Sequence, residues 1–183
     1  MTRGKRRIVD EQVDALVDGQ AVRRDVLIAF EYAHNEDDWV FPLADVLAGV
    51  TAQEALWKPD PDDAKQRCIW QIVLHMTVWT ENIVERMEQR MRKELMGGPQ
   101  EGAWPPLPLT LDEVAWEASK QRLWTSLAAL RVHIETTPPV ALLDQGTVGY
   151  SQLADLLCRL IHNAYHIGQI TKMRECQAAL NTP

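Results

Sequence analysis

The stretch "IWQIVLHMTVWTENIVERM", residues 69–87, decides the fold class. Its apolar residues Ile69, Ile72, Val73, Met76, Trp79, Ile83 and Met87 recur at i, i+3, i+4 and i+7, the period of a helix that buries one face. The pattern predicts a helix over about 66–93. His75 falls between Ile72 and Trp79 at the edge of that stripe. An imidazole there must find a hydrogen-bond partner or a ligand, because burying it unpaired is unfavourable.

Outward from this helix, strand-like alternation is scarce and the same period returns. "DVLIAFEYAHNEDDWVFPLADVL", 25–47, predicts a first helix that Pro42 kinks or restarts. "AGVTAQEALWKPDPDD", 48–63, is expected to be a connector, since Pro59 and Pro61 cannot continue a helix. "GGPQEGAWPPLPLT", 97–110, is a Gly- and Pro-rich loop long enough to cross the end of a bundle. Thr110 with Glu113 has the form of a capping box opening a third helix to about Glu135. "TTPPVALLDQGTVGY", 136–150, is a second loop with a short turn at 146–149, and Ser151 caps a fourth helix reaching about Ala178. Four long helices with unequal connections predict an all-α bundle whose topology need not be simple up-and-down. Residues 1–21 form an arm with a short helix, and 22–183 form the bundle.

Size and charge narrow the function. With 183 residues and 46% apolar content the chain suits one core. Its 19 basic and 26 acidic side chains leave a charge of -7, which repels a phosphate backbone and an anionic bilayer alike. Neither nucleic acid nor membrane is expected as a partner, and Arg3, Lys5, Arg6 and Arg7 are expected to be a solvated tail. The apolar runs are short, "VLIAF" at 26–30 being typical, so no segment spans a bilayer and a soluble protein is expected. Cys68, Cys158 and Cys176 form no C-x-x-C pair or disulfide framework, which points to a reducing cytoplasm.

Near the C-terminus, "LIHNAYHIGQI", 160–170, places His162 and His166 four residues apart. On a helix they lie about 40° apart, with Asp155 and Gln169 about 20° to either side of His162, so two imidazoles can converge on one ion. His75 is the candidate third ligand. The alternatives are an ordinary core-edge histidine at 75 and a solvent face along 155, 159, 162 and 166. A ferritin-like di-iron site is excluded, because it needs two Glu-x-x-His elements and only Glu31–His34 fits. His133 has no partner at helical spacing. Cys158, one turn before His162, is either a thiolate ligand or a structural thiol.

At "LHMTVW" with His75, "HNAYHIGQI" with His162 and His166, and "GVTAQEALWKP", the chain resembles the DinB-like (YfiT-like) superfamily of metal-dependent hydrolases and transferases over about 22–178. The resemblance implies a four-helix bundle of up-down-down-up topology. It also implies one divalent ion (nickel, zinc, iron or manganese) held by His75, His162 and His166. Family members often carry arginine after the last histidine, where this chain has Ile167. Three neutral imidazoles leave a coordination position open, the arrangement of a catalytic ion. Hydrolysis, or transfer dependent on a low-molecular-weight thiol, on a small-molecule substrate is then expected. Trp79, Asn82, Cys158 and Gln169 are the pocket candidates. Asn163, where a zincin has its glutamate base, cannot accept a proton; a proton leaves through solvent, through Asp155 or Glu31, or with a thiol that ionises on the ion. The rival class is a non-catalytic metal or small-ligand binding protein, stress-related. A homodimer is expected from the resemblance and from tryptophans such as Trp104, whose burial in a loop needs a partner surface or a folded-back loop.

Overall fold

The computed structural model describes residues 18–63, 65–92, 98–144 and 150–180. These form α1 (Gly19–His34), α2 (Leu43–Leu47), α3 (Ala52–Leu56), α4 (Ile69–Arg92), α5 (Glu113–Thr136), α6 (Pro139–Leu143) and α7 (Gln152–Leu180), with no strand among them. The basic arm, most of the segment 1–21 and the turn at 146–149 lie outside the described residues.

Helix boundaries follow local chemistry. Asp18 starts α1 by accepting from the Gln20 amide at 2.9 Å, so the first helix begins ahead of the expected Asp25. It stops at His34, because the polar run Asn35–Asp38 offers nothing to bury. Pro42 restarts the chain as the separate α2, whose N-cap it supplies. The expected connector contains a helix, α3. Thr51 and Glu54 form a complete capping box there, which stabilises one isolated turn. At α5 the cap is Asp112, whose side chain accepts from Ala115 N at 2.8 Å. Glu113 instead reaches across to accept from the Ala52 amide at 2.7 Å, so the Thr110–Glu113 capping box expected from sequence is replaced by a link between α5 and α3. Proline opens α6 inside the expected loop 136–150.

The predicted stripe of α4 faces the core: Ile69, Ile72, Val73, Met76, Ile83 and Met87 are all buried. Trp70 and Trp116 pack with centroids 5.3 Å apart and seal the junction with α5. Each indole N–H is satisfied, Trp70 by Ser119 Oγ at 2.8 Å and Trp116 by Val50 O at 2.7 Å, as buried tryptophans require. Further along, Arg122 of α5 grips Glu81 of α4 and Glu101 of the loop, both at 2.6 Å. The pairs Trp70–Ser119 and Glu81–Arg122 advance in the same sense along both helices, so segment 98–112 returns along α4 before α5 begins. By contrast His75 meets His162 while Arg86 meets Tyr150, which makes α7 antiparallel to α4. Arg174 of α7 donates to the carbonyls of Asp45 and Val46, tethering the end of α2.

Two glycines give opposite outcomes. A Cβ on Gly19 meets Pro139 Cβ at 2.5 Å, whereas one on Gly168, exposed on α7, meets nothing within 4 Å. Gly19→Ala is expected to lower unfolding free energy by about 1–3 kcal/mol. Gly168→Ala is expected to raise it by about 0.5–1 kcal/mol. Chemical denaturation of the two variants checks the signs.

Candidate metal centre

The antiparallel contact between α4 and α7 brings His75, His162 and His166 together, one ligand atom from each lying within 4.8 Å of the others. His162 Nε2 is 2.9 Å from His75 Nε2 and 3.1 Å from His166 Nε2. Tetrahedral coordination with metal–nitrogen bonds of ordinary length needs an edge of about 3.3 Å, so these two separations already stand near the spacing an ion requires. His75 and His166 are buried and His162 is half-buried.

The other ring nitrogens fix the tautomers. A carbonyl can only accept, so His75 Nδ1–H donates to Ala103 O and His166 Nδ1–H donates to Gln169 Oε1 at 2.7 Å. Both rings therefore present the lone pair of Nε2 to the common point, the orientation second-sphere acceptors give to metal-ligating histidines. His162 differs. A guanidinium can only donate, and Arg159 Nη1 donates to His162 Nδ1 at 2.9 Å, while Asn163 Oδ1 stands 3.5 Å away. The proton of His162 then sits on Nε2, where it is shared with His75 and His166. An ion bound by the three Nε2 atoms takes the place of that proton. His162 must shift it to Nδ1, toward Asn163, and Arg159 must turn aside.

Aromatic rings wall the site. Trp104 stacks on His75 at 3.8 Å and 16°, so the loop folds back onto α4 and lays one face of the ring on the site, while the residue remains 39% exposed. Trp79 presents its edge to His75 and His162, at 6.4 Å from each, and Arg159 lies 4.8 Å over the Trp79 ring. Burial is the main cause that pushes His75 and His162 down to about 4 and lowers His166 as well. All three are neutral at pH 7, the form that coordinates metal.

Of the pocket candidates, Trp79 and Gln169 lie against the trio. Asn82 is buried beside Glu81, Glu85 and Arg122, lining another cleft. Cys158 is exposed and belongs to no group of potential ligands with the histidines among the described residues. The two carboxylates considered as proton acceptors are engaged elsewhere, Glu31 with Arg131 at 2.9 Å and Asp155 with Arg86 at 3.3 Å. Asp155 and Arg159 are half-buried against α4, so their stripe is not the solvent face considered as the alternative. His133 is half-buried.

The sequence marked Asn163 as no base but did not reveal its partner. Asn163 is fully buried and its Nδ2–H donates to His34 Nε2 at 3.1 Å, while His34 Nδ1–H donates to Phe30 O at 2.9 Å. The Glu-x-x-His of α1 thus supplies a structural imidazole. No protein-family model, curated protein or solved structure matches the chain.

Three outcomes follow from these contacts. Arg159→Met removes a donor that competes for His162 Nδ1 and a positive charge beside the ion, and is expected to tighten Zn²⁺ or Ni²⁺ binding by about tenfold in a competition titration. Asn163→Ala orphans His34 Nε2 and is expected to destabilise by about 1–3 kcal/mol while metal stoichiometry stays unchanged. Burial holds His34 at about 4 when folded, against about 6.5 unfolded. Between those values the unfolded chain binds more protons, so the His34 contribution is present above about pH 6.5 and is lost as pH falls toward 4. Denaturation of chelator-treated protein across that range is expected to show stability falling with pH, less steeply in His34→Gln.

Proposed function

We propose that this chain is a DinB-like four-helix bundle, α1, α4, α5 and α7 running up-down-down-up, that binds one divalent ion at His75, His162 and His166 and works on a small molecule. The observation that carries this reading is the approach of the His75 and His166 Nε2 atoms to His162 Nε2 while His75 and His166 hold their Nδ1 protons on fixed acceptors. The parallel course of α4 and α5 and the return of segment 98–112 support the topology. Nickel, zinc, iron and manganese all accept imidazole ligands.

A divalent ion held there supplies Lewis acidity and lowers the pKa of a coordinated water or thiol. The surrounding residues favour the thiol. Asn163 donates to His34 and is no base, and Glu31 and Asp155 are paired with arginines, so neither of these carboxylates is set to take a proton from water. A low-molecular-weight thiol needs no such base, because its own ionisation supplies the nucleophile. Trp79 and Trp104 line one side of the trio, and Gln169 holds His166 in its ligand tautomer. The second reading, a non-catalytic metal-binding protein, draws support from the same closure, since Trp104 lies flat on His75. A homodimer is proposed from the family resemblance and from the tryptophans left open to solvent, Trp39 at 88% and Trp104 at 39%. No helix of the described residues is long and apolar enough to cross a membrane; a cytoplasmic location is proposed from the cysteines, which form no C-x-x-C pair and suit a reducing compartment.

Elemental analysis of protein purified without added metal or chelator is expected to give one divalent ion per chain, lost in His75→Ala, His162→Ala and His166→Ala. Full occupancy in His75→Ala removes α4 from the site. With cysteine as the thiol and 1-chloro-2,4-dinitrobenzene as the electrophile, a C–S bond forms, chloride leaves and the thiol proton passes to solvent. Turnover above the uncatalysed rate is expected only with both metal and thiol present; loaded protein without such turnover supports the binding reading. Peptidase activity is expected to be negligible.

A further inference from the structure

We infer that the cleft beside His166 is a binding site for a small organic anion with an apolar or aromatic body. The cleft, about 560 Å³, lies where the loop ahead of α4 meets the second half of α7. Its charged lining consists of Lys65, Arg67 and Lys172, with no aspartate or glutamate among the lining residues. In a chain of net charge -7, three cations around one concavity are a local reversal of sign. Charges facing a recess with apolar walls raise the local concentration of oppositely charged ligands.

Two of the cations are not neutralised. Neither Lys65 nor Arg67 forms an ion pair among the described residues, whereas Lys172 pairs with Glu175 at 3.0 Å on the exposed rim. Arg67 is held instead over the Trp104 ring, 5.1 Å from its centroid, and that same ring stacks on His75. The guanidinium is therefore positioned by the wall of the histidine site while its hydrogen-bonding edge stays available, the geometry that suits a carboxylate, sulfonate or phosphate. Ile72, Met173 and the rings of Trp104 and Tyr165 supply the apolar surface. Few polar groups converging on an apolar recess is the usual make-up of a small-ligand site. His166 is the one member of the trio that lines the cleft. An anion gripped at Lys65 and Arg67 thus points its far end toward the proposed ion.

This deepens the proposed function by naming the class of substrate or thiol it takes, and rests on that reading only for what happens after binding. The test uses naphthalene-2-sulfonate, a poor metal ligand, and the neutral naphthalene-2-methanol, in calorimetric titrations of the full chain. The sulfonate is expected to bind at least about tenfold more tightly than the alcohol at low salt, with the difference shrinking as salt screens the cations. Lys65→Gln with Arg67→Gln is expected to abolish the preference, and Arg67→Lys to retain part of it. His162→Ala, which removes the proposed ion, is expected to keep the preference. Wild-type protein that takes up no divalent ion when one is offered, yet prefers the sulfonate, refutes the metal reading alone. Metal-loaded protein that binds sulfonate and alcohol equally, or a double glutamine variant with unchanged sulfonate affinity, overturns this inference.

Discussion

Everything around the centre of this molecule answers one constraint: three imidazoles from two antiparallel helices are buried against one another, and each ring nitrogen must be satisfied. His75 uses the carbonyl of Ala103, which pins segment 98–112 onto α4. His166 uses Gln169, one turn along its own helix. His162 uses Arg159 and stands beside Asn163, and Asn163 in turn uses His34, which fastens α1 to α7. Removing any of these partners leaves a buried polar group without compensation, which is more costly than the bond is stabilising. The site and the helix packing are therefore one network.

Electrostatics give the network its direction. The chain is acidic overall, yet Arg159 stands beside the trio and Lys65 and Arg67 stand at the neighbouring cleft. A cationic surrounding opposes a bare divalent ion and favours an ion that arrives with, or recruits, an anionic ligand. Arg159 at all three imidazoles, and Arg67 at His75, disfavour further protons and so help keep the rings neutral, adding to the larger effect of burial.

Periodic patterns made the long helices legible in the sequence. The stripe from Ile69 to Met87 points inward as its spacing requires, and the i, i+4 pair at 162 and 166 shares one face of α7, because both features depend only on helical geometry; that His75 completes the trio depends on how α4 packs on α7. What escaped depends on contacts between segments. The capping box at Thr51 and Glu54 has the same form as the one expected at Thr110, but prolines nearby disguised it as loop. Glu113 is used by Ala52, a residue 61 positions away. Asn82 and Cys158 were assigned to the pocket by turn counting along the helix; the first faces Glu81 and Arg122, and the second faces outward. The His34–Asn163 bond joins residues 129 apart, and no local pattern encodes it. The cationic cleft combines a loop with α7, which hides its sign inside a negative average.

The most direct measurement of the central claim is X-ray absorption at the metal edge of protein loaded with one equivalent of zinc or nickel. The account predicts imidazole nitrogens at about 2.0–2.1 Å with the outer-shell scattering of three histidine rings, reduced to two in His75→Ala. A first shell containing sulfur, or one built of oxygen without imidazole scattering, would contradict it.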